Sequence, residues 1–167
     1  MHWKLSLASL LASGLGLTLC LPAHAQDPER SVADAGIKAQ LAELDYQYEV
    51  DEDNDFKLVF EVGEEGRSQI VYILSAVESY GEHKVREIWS PAYESATDDF
   101  AAPIANRLLE ASNSAKLGGW VKQGRNAVFV VKIAADASKE ALDDAISAAS
   151  GLADEMEAEL SPGKDDL

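Results

Sequence analysis

The residue types that most readily make and break bonds near neutral pH are scarce in this chain. Hydrolytic triads and most zinc sites need imidazole or thiolate. Past residue 25 the sequence offers one histidine, His83, and no cysteine, since Cys20 lies in the N-terminal segment. Glu82 stands beside His83 in a predicted hairpin tip, where the residue reads as a solvated surface histidine. Asp51, Asp53 and Asp55 place hard oxygen donors at alternate positions, as in the first half of a calcium loop. Phe56 then occupies the position that needs glycine for the sharp turn, and Val62 the position of the bidentate glutamate, so a helix-flanked calcium loop is excluded. These aspartates are expected to be turn residues folded onto their own backbone, with a weak cation contact as the alternative. Gly63 to Gly66 and Gly118-Gly119 lack the spacing and the following Lys-Ser/Thr of a phosphate cradle. No catalytic residue, metal ligand or cofactor is assigned. What remains are the aromatic residues Trp89, Tyr93 and Trp120, which fall near the ends of predicted elements and are the candidate binding residues.

The elements that position them follow from periodicity. From about Ser31 to Leu44, Val32, Ile37 and Leu41 suggest an amphipathic helix. Alternation at 46–50 and 56–62 marks half-buried strands. Residues 69–77, apolar on both faces, suggest a central covered strand. Residues 80–82 turn into a strand over 84–89 that Pro91 is expected to end. The connections are too short for a crossover, so the strands must be antiparallel. A second helix should start around Pro103 and bury Ile104, Leu108 and Leu109, followed by a hairpin over 120–133. Ser138 is the expected N-cap of a last helix with apolar Leu142, Ile146, Ala149, Leu152, Met156 and Leu160, stopped by Pro162. The order αβββ(β)αββα makes the fold α+β.

Length and charge narrow the function. The 167 residues accommodate one domain, expected over 31–161, between a flexible stretch at 26–30 and a disordered tail at 162–167. Residues 1–25 read as a secretory signal: Lys4, an apolar run, then Pro22-Ala23-His24-Ala25 before a cut that follows Ala25. Losing Lys4 with the signal takes the formal charge from −16 to −17. Such a polyanion repels nucleic acid and anionic lipid, so neither is an expected partner. The destination is the periplasm or the exterior of a bacterial cell.

Four segments carry a family resemblance: Glu87-Ile88-Trp89-Ser90-Pro91, Leu108-Leu109-Glu110-Ala111-Ser112-Asn113, Lys116-Leu117-Gly118-Gly119-Trp120 and Ala153-Asp154-Glu155-Met156-Glu157. Together with the element order they resemble the YbjN domain family, over roughly residues 41–160. The resemblance implies the fold shared with type III secretion chaperones, a curved antiparallel sheet packed against helices and used for binding rather than catalysis. It implies a protein or peptide partner, and by analogy a homodimer through an exposed helix face. Two alternatives stand beside this reading. One is a small hydrolase or lyase using a carboxylate pair with His83; the other is a structural envelope protein held through the strand edge at 120–122.

Overall fold

The computed structural model describes residues 32–62 and 66–163. The expected signal, the flexible stretch at 26–30 and the end of the tail lie outside the described residues. Among the described residues three helices and seven strands run α1 (Ala35–Glu43), β1 (Glu49–Val50), β2 (Phe56–Val62), β3 (Arg67–Ile73), β4 (Glu78–Tyr80), β5 (His83–Glu94), α2 (Ala102–Ser114), β6 (Gly119–Gln123), β7 (Asn126–Ala134) and α3 (Lys139–Leu160). The strands form one antiparallel sheet in the order β1-β2-β3-β5-β7-β6, with β4 folded back on the start of β5. All three helices pack on one face. The protein is thus an α+β domain of two layers.

Alternation along the strands decides which side chains face the helices. Phe56, Leu58, Val71, Ile73, Ile88, Phe129 and Val131 point toward α1 and α3, where Ile37, Leu41, Leu142, Ile146 and Ala149 complete the core. Ser138 caps α3 by accepting the Ala141 amide, as expected. Tyr46, half-buried after α1, donates its hydroxyl to Asp143 Oδ1 at 2.5 Å. Burial and that bond push the phenol up to about 12.

Several expectations are corrected. Helix α1 begins at Ala35, because Asp34 caps it by accepting the amides of Gly36 and Ile37; Val32 precedes the helix and is 85% exposed. Strand β3 stops at Ile73 and buries alternate residues, so it is covered on one face rather than two. Residues 74–77 leave the strand, and the short strand β4 follows at Glu78–Tyr80. Leu109 is 66% exposed, because it neighbours Leu108 on a helix and only one of the two can face the sheet. Pro91 does not end its strand. β5 continues to Glu94 through a bulge between Pro91 and Tyr93, an irregularity at which a strand tolerates proline.

The pairing of β3 with β5 is short, confined to Tyr72 opposite Trp89 and Ile73 opposite Ile88. Beyond it, side chains take over from the backbone ladder. Ser90 Oγ donates to the Ile70 carbonyl at 2.6 Å, and Gln69 Nε2 donates to the Pro91 carbonyl at 2.8 Å and to Ser90 Oγ at 2.9 Å. Buried Gln69 and Ser90 therefore bridge the gap.

A second polar assembly ties the N-terminal half together. Arg86 on β5 is only 2% exposed. Its Nη1 donates to the carbonyls of Leu74 and Ser75 at 2.6 and 3.1 Å, and its Nη2 to Asp34 Oδ2 at 2.6 Å. Ser75 in turn accepts the Asp34 amide, donates to the Asn54 carbonyl and gives its own amide to Asp55 Oδ1. Burial by itself would raise the Asp34 carboxyl, but the Ile37 and Gly36 amides and the Arg86 charge together hold it below its ordinary value.

Candidate functional site

The three candidate aromatic residues do not share a surface. Trp89 points away from the helices, beside Tyr72 and Val130 on the neighbouring strands, and its Nε1 donates to Glu87 Oε2 at 2.7 Å. Simple alternation would place Tyr93 on the same face as Trp89 and Pro91. The bulge turns it over. Tyr93 instead pairs with Ala127, joins the cluster of Ala92, Leu108 and Met156, and meets Phe100 edge-on at 5.9 Å. Trp120 joins that cluster from β6, with its ring edge-on to Phe129 at 5.2 Å. Tyr93 and Trp120 thus belong to one half-buried region, and Trp89 to the opposite face.

Around Trp120 the surface opens into a cleft of about 430 Å³ between α2 and β6. Phe100, Leu108 and Leu109 form one wall, Trp120 and Val121 the other, and Asp99 and Lys122 supply its polar groups. Phe100 stands just before the N-cap residue Ala101 and faces the cleft with Ala105, the spacing of a hydrophobic staple. The Lys122 ammonium lies 5.7 Å from the centre of the Phe100 ring, within range of cation–π attraction. Leu109, Leu117 and Val121 are all exposed large apolar side chains at this end of the molecule. A second groove of about 210 Å³ runs along the other side of α2, with Trp120 again in its wall beside Arg107, Leu152 and Glu155. Helix α2 is therefore flanked by open space on both sides. Leu108 is its one buried residue, and the exposed ion pair of Arg107 with Glu159 ties it to α3.

Strand β6 ends the sheet, so its outer edge could accept another strand. Half of that opportunity is already used. The outward amide of Trp120 donates to Ser112 Oγ of α2 at 2.8 Å, which leaves the far end of the edge, at Lys122, uncovered. A charged residue there is a common way to blunt an edge. The cleft, rather than the strand edge, is the better-formed place for a partner.

The remaining polar candidates serve the scaffold. Asp51 Oδ1 accepts the amides of Asp53 and Asp55, folding the turn onto its own backbone as expected. Asp55 is engaged by Ser75, and burial, with the Asp51 and Asp53 charges adding to it, raises its carboxyl above the ordinary range. Among the described residues no group of three or more His, Cys, Asp or Glu side chains could hold a metal ion. His83 stands exposed at the β4–β5 hairpin, opposite Tyr80, and lines a polar cleft with Asp34, Lys84 and Arg86. No described helix is long and apolar enough to cross a membrane.

Of the cleft residues, Trp120 is marked in the sequence as a large aromatic near an element end, Val121 only as part of the strand edge at 120–122, Leu109 is assigned to the core in error, and Phe100 carries no signal. The available signal was the adjacent pair Leu108-Leu109, which must leave one leucine outside the core. No protein-family model matches this chain and no curated protein matches it, so the functional reading rests on the cleft and its residues.

Proposed function

We propose that the chain is a non-catalytic binding module of the bacterial cell envelope, related to the YbjN domain family and its secretion-chaperone-like fold, which captures an apolar segment of a partner polypeptide. The observation that carries this reading is the cleft beside Trp120. It is concave, walled by Phe100, Leu108, Leu109 and Val121, and rimmed by one acidic and one basic group. A volume of about 430 Å³ accommodates one or two large side chains, and clefts of this kind fix orientation with few polar groups while burial supplies affinity. The acidic exterior keeps such a complex soluble and attracts segments in which apolar residues alternate with basic ones. Binding is expected without turnover.

The test is fluorescence polarisation with a panel of labelled peptides of about 12 residues, apolar-basic, apolar-acidic and polar, titrated with the purified chain. Apolar-basic peptides should bind in the micromolar range. Leu109→Asp and Val121→Asp, both at exposed positions that leave the core intact, should each weaken binding by roughly tenfold or more. Equal affinity for all three peptide classes, or no effect of either substitution, would overturn the assignment.

A further inference from the structure

The helices cover one face of the sheet; the other has no second layer among the described residues. Register places Val59 of β2, Ile70 and Tyr72 of β3, Trp89 of β5, Val128 of β7 and Val121 of β6 on this uncovered face. They form an apolar band crossing five adjacent strands. Val59 protrudes at 58% exposure, while a cleft of about 330 Å³ opens over Val128 beside Pro91, Trp89 and Asn126. The face thus carries both a knob and a hollow.

We propose that this face is a self-association surface, on which a second copy of the chain packs sheet against sheet. Charge decides in favour of a second copy. The chain as a whole carries −16, and α3 alone has seven acidic residues against Lys139, on the side turned away from this face. On the uncovered face from β2 to β6, Lys57, Lys132 and Arg125 balance Glu61, Glu87 and Glu94; Glu87 is held by Lys132 at 2.7 Å and by the Trp89 indole, Glu94 is paired with Arg125 at 3.1 Å, and Lys57 stands opposite Glu49 of β1. Two strongly acidic molecules can therefore meet here with their excess charge directed outward, whereas a partner selected by charge would find nothing to read.

The geometry is self-complementary. A two-fold axis lying between β3 and β5 and parallel to them sets β2 of one copy against β7 of the other, so Val59 enters the hollow over Val128 twice. Strands about 4.8 Å apart and some five residues long make this a patch on the order of 400–500 Å² in projection. That is below the roughly 800 Å² per partner of a standard interface, so the dimer should be micromolar rather than permanent.

Sedimentation velocity of the purified chain from 1 to 100 μM tests this. The expected result is a reversible monomer–dimer equilibrium that tightens as added salt screens the net charge. Val59→Glu should weaken dimerisation roughly a hundredfold, because the change is met twice across the axis. Val32→Glu, which adds the same charge at an exposed valine off the sheet, should weaken it far less, and Leu109→Glu should leave the Val59-dependent dimer in place. Circular dichroism of each variant confirms that it is folded. A monomer throughout the range, a dimer indifferent to Val59→Glu, or one lost equally with Val32→Glu would overturn the proposal. A dimer lost only with Leu109→Glu would also overturn it, assigning self-association to the α2–β6 cleft.

Discussion

Replacing Asp34 by alanine removes two interactions at once, and the structure separates their sizes. Its Oδ1 caps α1 through the Gly36 and Ile37 amides at 2.8 and 3.0 Å, a contribution of about 1 kcal/mol. Among the described residues its Oδ2 supplies the one carboxylate oxygen paired with Arg86, which is buried and keeps the Leu74 and Ser75 carbonyls afterwards. Stranding a fully buried charge costs about 3–5 kcal/mol. The Asp34 side chain is 32% exposed, so water can replace part of what is lost, and about 2 kcal/mol is the appropriate figure. Asp34→Ala should therefore lower stability by about 3 kcal/mol, a large share of the 5–15 kcal/mol typical of a domain. Urea unfolding followed by circular dichroism measures this, with an unchanged m-value showing that the same transition is observed. The double variant Asp34→Ala with Arg86→Met removes the stranded charge and should recover about 1–2 kcal/mol relative to the sum of the single changes. A loss below 1 kcal/mol for Asp34→Ala would reduce its role to helix capping. Strict additivity in the double variant would refute coupling through the buried guanidinium.

Further outcomes follow from other sites. Gly118 has φ +76°, and a Cβ there would lie 2.4 Å from the Val130 carbonyl oxygen, so Gly118→Ala should cost about 3 kcal/mol by thermal or urea unfolding, against about 1 kcal/mol for Gly124→Ala, where φ is +58° and the space is open. Leu108→Ala should destabilise by about 2–3 kcal/mol and Leu109→Ala by less than 0.5 kcal/mol, since only the first is buried. The two perturbed aspartates respond oppositely to pH. Asp34 has its folded-state pKa lowered, so its stabilisation is present above the ordinary value of 3.8 and is lost as pH falls through the folded value; the deficit of Asp34→Asn at pH 7 should shrink in acid. Asp55 is raised, so its charge opposes folding at neutral pH and protonation relieves it. Asp55→Asn keeps an acceptor for the Ser75 amide and should match or exceed the parent at pH 7, with any advantage fading as pH falls toward 3.8, measured by urea unfolding at a series of pH values.

Much of the scaffold is legible in the sequence, because helices and hairpins announce themselves locally. The spacing of Leu142, Ile146, Ala149 and Met156 after a capping serine defines α3, and the alternation of Phe56, Leu58 and Phe60 defines β2. What escapes is set by contacts distant in sequence. Nothing near Arg86 reveals that it is buried, since its partners come from residues 34, 74 and 75. The face on which Tyr93 lies depends on one inserted residue, and Pro91, read as a terminator, marks that insertion instead. A period of two cannot survive a bulge. The candidate region is accordingly half legible: Trp120 stands out as a large aromatic residue, whereas the cleft exists only once α2 is laid beside β6.

The abbreviated ladder between β3 and β5 gives the domain two leaves, β1-β2-β3 and β4-β5-β7-β6, sewn along one seam and backed by α3, which packs on β3, β5 and β7 alike. The first leaf is built from neighbours in the chain, whereas β5 and β7 are joined across α2 and β6; the seam itself is local in sequence but poor in ladder bonds, so it depends on the docked spine. Amides along that line should be the first of the interior to exchange with solvent, and tension applied across the sheet would part it there before either leaf unravels.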